Sequence, residues 1–196
     1  MGVVIGVHVG QKRDPTAIAV AETDPRTVGG LQNDHFLIRY LDRLPVGTPY
    51  PEVAARVADV VRKTCERTGS RPTVYVDATG VGEPVVALFR QRSSRATLKG
   101  VYFNHGDRRS EDSQEVKLGK AWLVSHLQTL LQQGFIHLPM TAESQALARE
   151  LLEFEVRVDE TANDRPGAFR VGSHDDLVTA LGLAVAPPDP SAFWFA

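Results

Sequence analysis

A chain of 196 residues, 42% hydrophobic and 23% charged, has the size and composition of one globular domain that can bury its own core. Its single cysteine, Cys65, excludes an internal disulfide, and no paired Cys/His spacing points to a structural zinc site. A net charge of −2 excludes a general attraction to nucleic acid, so any such contact requires a local basic patch.

The apolar start "MGVVIGVHVGQKRD" is too short and unflanked for a signal peptide, and no run is long enough to span a bilayer; the chain reads as cytosolic. Residues 3–9 and 16–22 are apolar, β-branched strands joined by "GQKRDP", and 35–41 is a third; together they predict an antiparallel meander. Pro51 opens a helix in which Val53, Val57, Val60, Val61 and Cys65 recur at helical spacing, and Gly69 ends it. "PTVYVD" is a short buried strand parallel to the first, followed by a helix over 82–92 and a strand over 98–104. The polar stretch "HGDRRSEDSQEVKL" predicts an exposed, mobile loop.

Helices over 119–133 and 141–154 follow, separated by a short "FIHLP" strand, and the stripe Trp122, Leu123, Leu127, Leu130, Leu131 predicts core. "FEVRV" and "AFRVG" predict a hairpin around "DETANDRPG", and a last helix runs from about His174 to Pro187. The tail "PPDPSAFWFA" cannot continue that helix. The order βββαβαβ followed by helices is mixed α/β, one sheet with helices on both faces.

Three places can carry chemistry. Asp77 ends a central strand, where open α/β sheets place their ligands. Asp175 and Asp176 open the otherwise apolar last helix, although carboxylates also favour helix N-termini through capping and the dipole. A site for hard divalent cations needs oxygen ligands from several strands, and the matching spot on the first strand holds His8.

The segments "GVHVGQKRDPTAIAV", "VYVDATGVGEPVVALFR", "LVSHLQTLLQQGFIHLP", "ARELLEFEVRV" and "HDDLVTALGLAV" resemble, in this order, the nuclease domain of phage terminase large subunits. The resemblance runs from about Val3 to Ala186, and "VDATGVG" with "HDDLVTAL" is its most specific part. It implies an RNase H-like fold related to Holliday-junction resolvases, with one domain over 1–186 and a C-terminal tail over 187–196. It also implies phosphodiester hydrolysis of double-stranded DNA during genome packaging in the host cytoplasm. Two divalent metals, Mg²⁺ or Mn²⁺, would be held by an acid on the first strand, one after the fourth and one on the last helix.

By position the second acid is Asp77 and the third is Asp176, with Asp175 the lesser choice. The first position carries His8 where the pattern expects Asp. Imidazole brings no negative charge and suits Mn²⁺ or Zn²⁺ better than Mg²⁺. Three outcomes are open: a working site with changed metal preference, a site completed by another acid such as Asp14, or an inactive one.

Lys12, Arg13, Arg108, Arg109, Lys117 and Lys120 are the candidate DNA path, and His174 a candidate supporting group. The partners implied are a terminase ATPase domain, a small terminase subunit and a portal, with no membrane; no GxxxxGK[ST] motor motif is present. Two readings compete with the enzyme. One is a catalytically impaired DNA-handling or docking domain of a packaging motor. The other is a nucleotide-binding domain of the actin or sugar-kinase kind, which lacks here the second phosphate-binding hairpin it requires.

Overall fold

The computed structural model describes residues 2–10, 14–28, 30–104, 108–153 and 175–186. Eight strands form one sheet in these residues: β1 (Val3–His8), β2 (Thr16–Val28), β3 (Leu31–Leu44), β4 (Thr73–Asp77), β5 (Thr97–Asn104), β6 (Arg109–Glu111), β7 (Glu115–Gly119) and β8 (Ile136–His137). Their order is β6-β7-β5-β4-β1-β2-β3-β8. β1, β2 and β3 make the antiparallel meander, while β4 pairs parallel with β1 and β5 parallel with β4. Five helices accompany it: α1 (Tyr50–Thr68), α2 (Glu83–Arg92), α3 (Lys120–Gln132), α4 (Ala142–Glu153) and α5 (Asp176–Ala184). This is the mixed α/β architecture of an RNase H-like fold, with helices on both faces.

Alternation along each strand divides the core. Val3, Ile5 and Val7 of β1, Val74 and Val76 of β4, and Ile18 and Val20 of β2 face α1 and α2. The opposite faces of β2 and β3 offer Ala17, Ala19, Ala21, Phe36, Ile38 and Leu41 to α3, α4 and α5. Small residues there let α5 lie close to the sheet. At Gly6 the approach is closest: a Cβ would strike the carbonyl oxygen of Ala180 and come within 2.6 Å of the Ala184 nitrogen. Every residue of α5 is buried.

Local signals act as expected for α1. Pro51 sits in its first turn, and Gly69 closes it at φ 67°, donating its N–H to the Cys65 carbonyl. Val53, Val57, Val60 and Val61 are core, and Cys65 packs partly buried against them.

Three expectations need correction. The polar stretch after residue 107 is not a loop: 109–111 and 115–119 pair as an antiparallel hairpin, and β7 adds parallel to β5. Its Val116 and Leu118 are buried, so two apolar residues at alternate positions suffice for an edge strand. β2 and β3 run well past their predicted ends, because their outer halves pair with each other from Glu22–Leu37 to Val28–Leu31. Leu131 is 36% exposed and so not core, since it turns away from the stripe that buries Leu123, Leu127 and Leu130. The predicted 154–174 hairpin and the 187–196 tail lie outside the described residues.

The close approach at Gly6 generates a test. Gly6→Ala should lower stability to chemical denaturation by about 1–3 kcal/mol, the usual cost of overpacking a core. An unchanged midpoint would mean that α5 does not rest on β1 there.

Candidate functional site

β1 and β4 are parallel neighbours in register, so their C-terminal ends finish side by side. His8 shares the α5 face of β1 with Gly6, and Asp77 shares the corresponding face of β4 with Tyr75. The packing at Gly6 then sets the first turn of α5 over that edge. Asp176 lies 99 positions after Asp77, yet both touch one imidazole ring: His8 Nδ1 is 3.1 Å from Asp77 Oδ2, and Nε2 is 3.6 Å from Asp176 Oδ1.

Each carboxylate has its own support. The Thr79 backbone N–H donates to Asp77 Oδ1 at 3.0 Å, closing a tight turn after the strand. Gly82, at φ 72°, then makes the left-handed step into α2 that a side chain would resist. Asp176 is almost wholly buried, its side chain 2% exposed. Its Oδ2 has no hydrogen bond among the described residues; only the Arg43 guanidinium approaches, with Nε at 3.9 Å. Arg43 in turn pairs with Glu150 of α4, and Glu150 Oε2 accepts the Leu177 N–H at 3.1 Å. That bond satisfies one of the orphan donors in the first turn of α5.

Arg43 and Glu150 were missed in the sequence. Glu150 had a signal: it sits between Leu147 and Leu151 on the apolar stripe of α4, where an acid must find a partner. Arg43 had none, because a charged residue near a strand end is ordinary.

Electrostatics make the cluster responsive to protons. Burial works against a charged His8, but the hydrogen bond to Asp77 and the charges of Asp77, Asp176 and Asp175 outweigh it and hold the imidazole above its usual 6.5. Burial pushes Asp176 above the ordinary carboxylate range, with His8 and Arg43 pulling back and Asp175 and Asp14 adding to the rise. Asp175 is also raised by burial, against the opposing charges of Lys120 and His8. It occupies the N-cap position of α5 without a side-chain cap bond; its carbonyl accepts the Thr179 N–H at 2.8 Å.

The remaining candidates scatter. Asp14 is exposed, near enough to be felt by Asp175 and Asp176 but, among the described residues, not bonded to His8 or Asp77. Arg108 and Lys117 are exposed, and Lys120 opens α3 with its ammonium 5.6 Å from the Phe103 ring centroid. Arg109 does not belong with them. Only 8% of its side chain is exposed, and it is tied to Glu111 and to the Tyr75 hydroxyl, so it serves the core under β6. Lys12, Arg13 and His174 lie outside the described residues.

Among the described residues no three His, Cys, Asp or Glu side chains are arranged to hold a metal ion. Both ring nitrogens of His8 face carboxylates, Nδ1 toward Asp77 and Nε2 toward Asp176. The donor types nevertheless fit a metal ion, being two carboxylates and an imidazole with a buried, unbonded oxygen on Asp176.

No family model matches the chain, and no curated protein matches its sequence. Its fold does match solved structures. The human cytomegalovirus terminase nuclease domain superposes with TM-score 0.59 at 15% identity, over 97% of this chain and 85% of that one. The Mn-soaked form of that domain gives 0.58 at 16% identity, over 96% and 84%. The nuclease domain of g2p, the large terminase of bacteriophage SPP1, with bound Mn, gives 0.55 at 16% identity, over 94% and 85%. The chain therefore has the fold of terminase nuclease domains.

The raised imidazole sets a pH test with a definite sign. Its contribution to stability is complete below the unfolded value of 6.5 and disappears as pH rises through the folded value. In metal-free buffer, the stability difference between wild type and His8→Asn should shrink as pH climbs above 6.5. A difference that stays constant across that window would show that His8 is not paired with the carboxylates.

Proposed function

We propose that the chain is a divalent-metal-dependent endonuclease that cuts double-stranded DNA, acting as the nuclease domain of a phage packaging terminase. The domain would cover 1–186, and Asp77, Asp176 and His8 would be its metal-binding and catalytic residues, with Asp175 beside them. The observation that carries this reading is the meeting of two carboxylates, from distant parts of the chain, at the C-terminal edge of an RNase H-like sheet. The Mn named with the SPP1 and cytomegalovirus nuclease domains supports the choice of Mn²⁺ or Mg²⁺.

Asp77 and Asp176 would hold a divalent ion, which when bound would supply Lewis acidity for phosphodiester hydrolysis. The protein supplies the rest. Asp77 is aimed by the Thr79 N–H, and Asp176 is held at the head of α5 by the Arg43–Glu150 pair. His8, beside both acids, would carry the positive charge there in its protonated form when no cation is bound. Arg108, Lys117 and Lys120 would face the DNA backbone, together with Lys12 and Arg13. An ATPase domain, a small terminase subunit and a portal are the partners this role requires, in the host cytoplasm.

One observation favours a second reading. Because both ring nitrogens of His8 face the acids, the chain would be a DNA-handling or docking domain if that ring never yields. Plasmid cleavage in Mn²⁺ and in Mg²⁺ separates the two readings. The enzyme reading expects nicking or linearisation in Mn²⁺, weaker in Mg²⁺, with Asp77→Asn and Asp176→Asn reduced by at least about a hundredfold. Wild-type cleavage should rise as pH passes above 6.5 and His8 gives up its proton, whereas His8→Asp should lack that rise and gain activity in Mg²⁺. No cleavage by wild type or His8→Asp in either metal would leave the docking reading.

Metal binding can be followed without activity. Mn²⁺ should raise the melting temperature of the wild type by linkage, because it neutralises buried acids that repel each other. Asp77→Asn should fold normally and lose that rise; a full rise in the variant would remove Asp77 from the ligands.

A further inference from the structure

Two histidines outside this site meet at the far edge of the sheet. His35 lies on β3 and His137 on β8, 102 positions apart in the chain. Register puts them on one face: Leu37 of β3 lies beside His137, and His35, two residues before Leu37, points the same way. Phe36 and Ile38 alternate to the other face and are buried there. The Phe135 ring packs against His35, 4.9 Å between centroids.

His35 Nδ1 is 2.8 Å from His137 Nε2. The ring centroids are 5.1 Å apart and the planes differ by 17°. So wide a centroid spacing with so short a contact means that the rings lie nearly end to end in one plane. One ring's N–H points at the other's lone pair. Both residues are half-buried, and β8 is the last strand at this edge, so an ion can approach from the solvent side. Charge does not bar it. Asp24 sits directly across from His35 on β2, and its Oδ2 accepts a hydrogen bond from Arg26 Nε at 2.8 Å, so that guanidinium is already answered.

Imidazole nitrogen is a ligand that Zn²⁺, Ni²⁺ and Cu²⁺ share. At a tetrahedral zinc ion, Zn–N bonds of about 2.0–2.1 Å hold two nitrogens roughly 3.3–3.4 Å apart. From their 2.8 Å contact the rings need to part by only about half an ångström. The donating ring moves its proton to its other nitrogen, a change of tautomer that leaves the net charge as it was.

We propose that His35 and His137 together bind a divalent ion of the zinc type through Nδ1 and Nε2, with water filling the remaining positions. The ion takes the place of the N–H···N bond and clips β8 to β3, strands that otherwise pair only at Phe36–Ile136 and Leu37–His137. This site is separate from the Asp77–Asp176 edge. Arg43, beside Asp176, lies eight positions further along β3 (43 − 35), roughly 27 Å in an extended strand. Metal binding here is therefore independent of any nuclease activity.

The test is a Zn²⁺ titration of the full chain, followed through isotope-labelled imidazole resonances, with His35→Gln and His137→Gln assigning the two rings. Zn²⁺ should shift the His35 and His137 signals along one shared binding curve. It should do so in wild type and in Asp77→Asn alike, which separates the pair from any ion beside His8. His137→Gln should weaken the response of His35 by at least about tenfold, because a single imidazole cannot chelate. His35→Gln should do the same to His137, so the test stands even if one variant folds poorly. Mg²⁺, which seeks oxygen, should move neither ring. Signals that stay in place at millimolar Zn²⁺, or that follow two separate curves, overturn the proposal. So does a His35 response that survives His137→Gln at full strength.

Discussion

The direct contact between α5 and β1 at Gly6 governs the molecule. With no side chain between them, the helix axis sits as near the sheet as backbone allows, and Ala17, Ala19 and Ala21 on β2 continue that shallow bed. A wholly buried helix has little freedom to slide or roll. Its first residue, Asp176, is therefore set over the strand ends bearing His8 and Asp77. The site is a by-product of where a helix can rest.

That placement has an electrostatic cost, and the chain meets it with internal counter-charges. Burial opposes ionisation of Asp176, and positive partners on both sides counter it: His8 from the sheet edge, Arg43 from β3. Glu150 completes the second arm, pairing with Arg43 and capping an open N–H of α5 in one stroke. The imidazole is the more consequential partner, since it can leave. On the proposed function, a proton on His8 and a divalent cation would compete for the same two carboxylates. A histidine at the proposed first-acid position would then make the attraction for metal depend on pH.

How much of this was legible beforehand depended on whether the signal was local. Pro51 and Gly69 bracket α1 because their effects reach only a turn. Asp77 and Asp176 could be picked out because each is an acid attached to an apolar element, and the resemblance linked them. The hairpin over 109–119 was read as a loop because its charges dominate the composition. Glu111 pairs with both Lys99 and Arg109, a fact no single segment reveals. For the same reason the sequence offers Arg109 as a DNA contact without showing that Glu111 holds its guanidinium. Arg43 was invisible, since its meaning lies in a helix more than 100 positions away. Lateral contacts between distant segments are what periodicity cannot show.

The proposed function makes Asp77 and Asp176 one metal site guarded by His8. Soaking crystals in Mn²⁺ and locating the ion from its anomalous scattering tests this most directly. The expected result is a peak bonded to oxygens of both Asp77 and Asp176, with the His8 ring either turned to ligate through one nitrogen or moved aside. Crystals that show the imidazole still bridging the two acids, with Mn²⁺ absent or bound elsewhere, would contradict it.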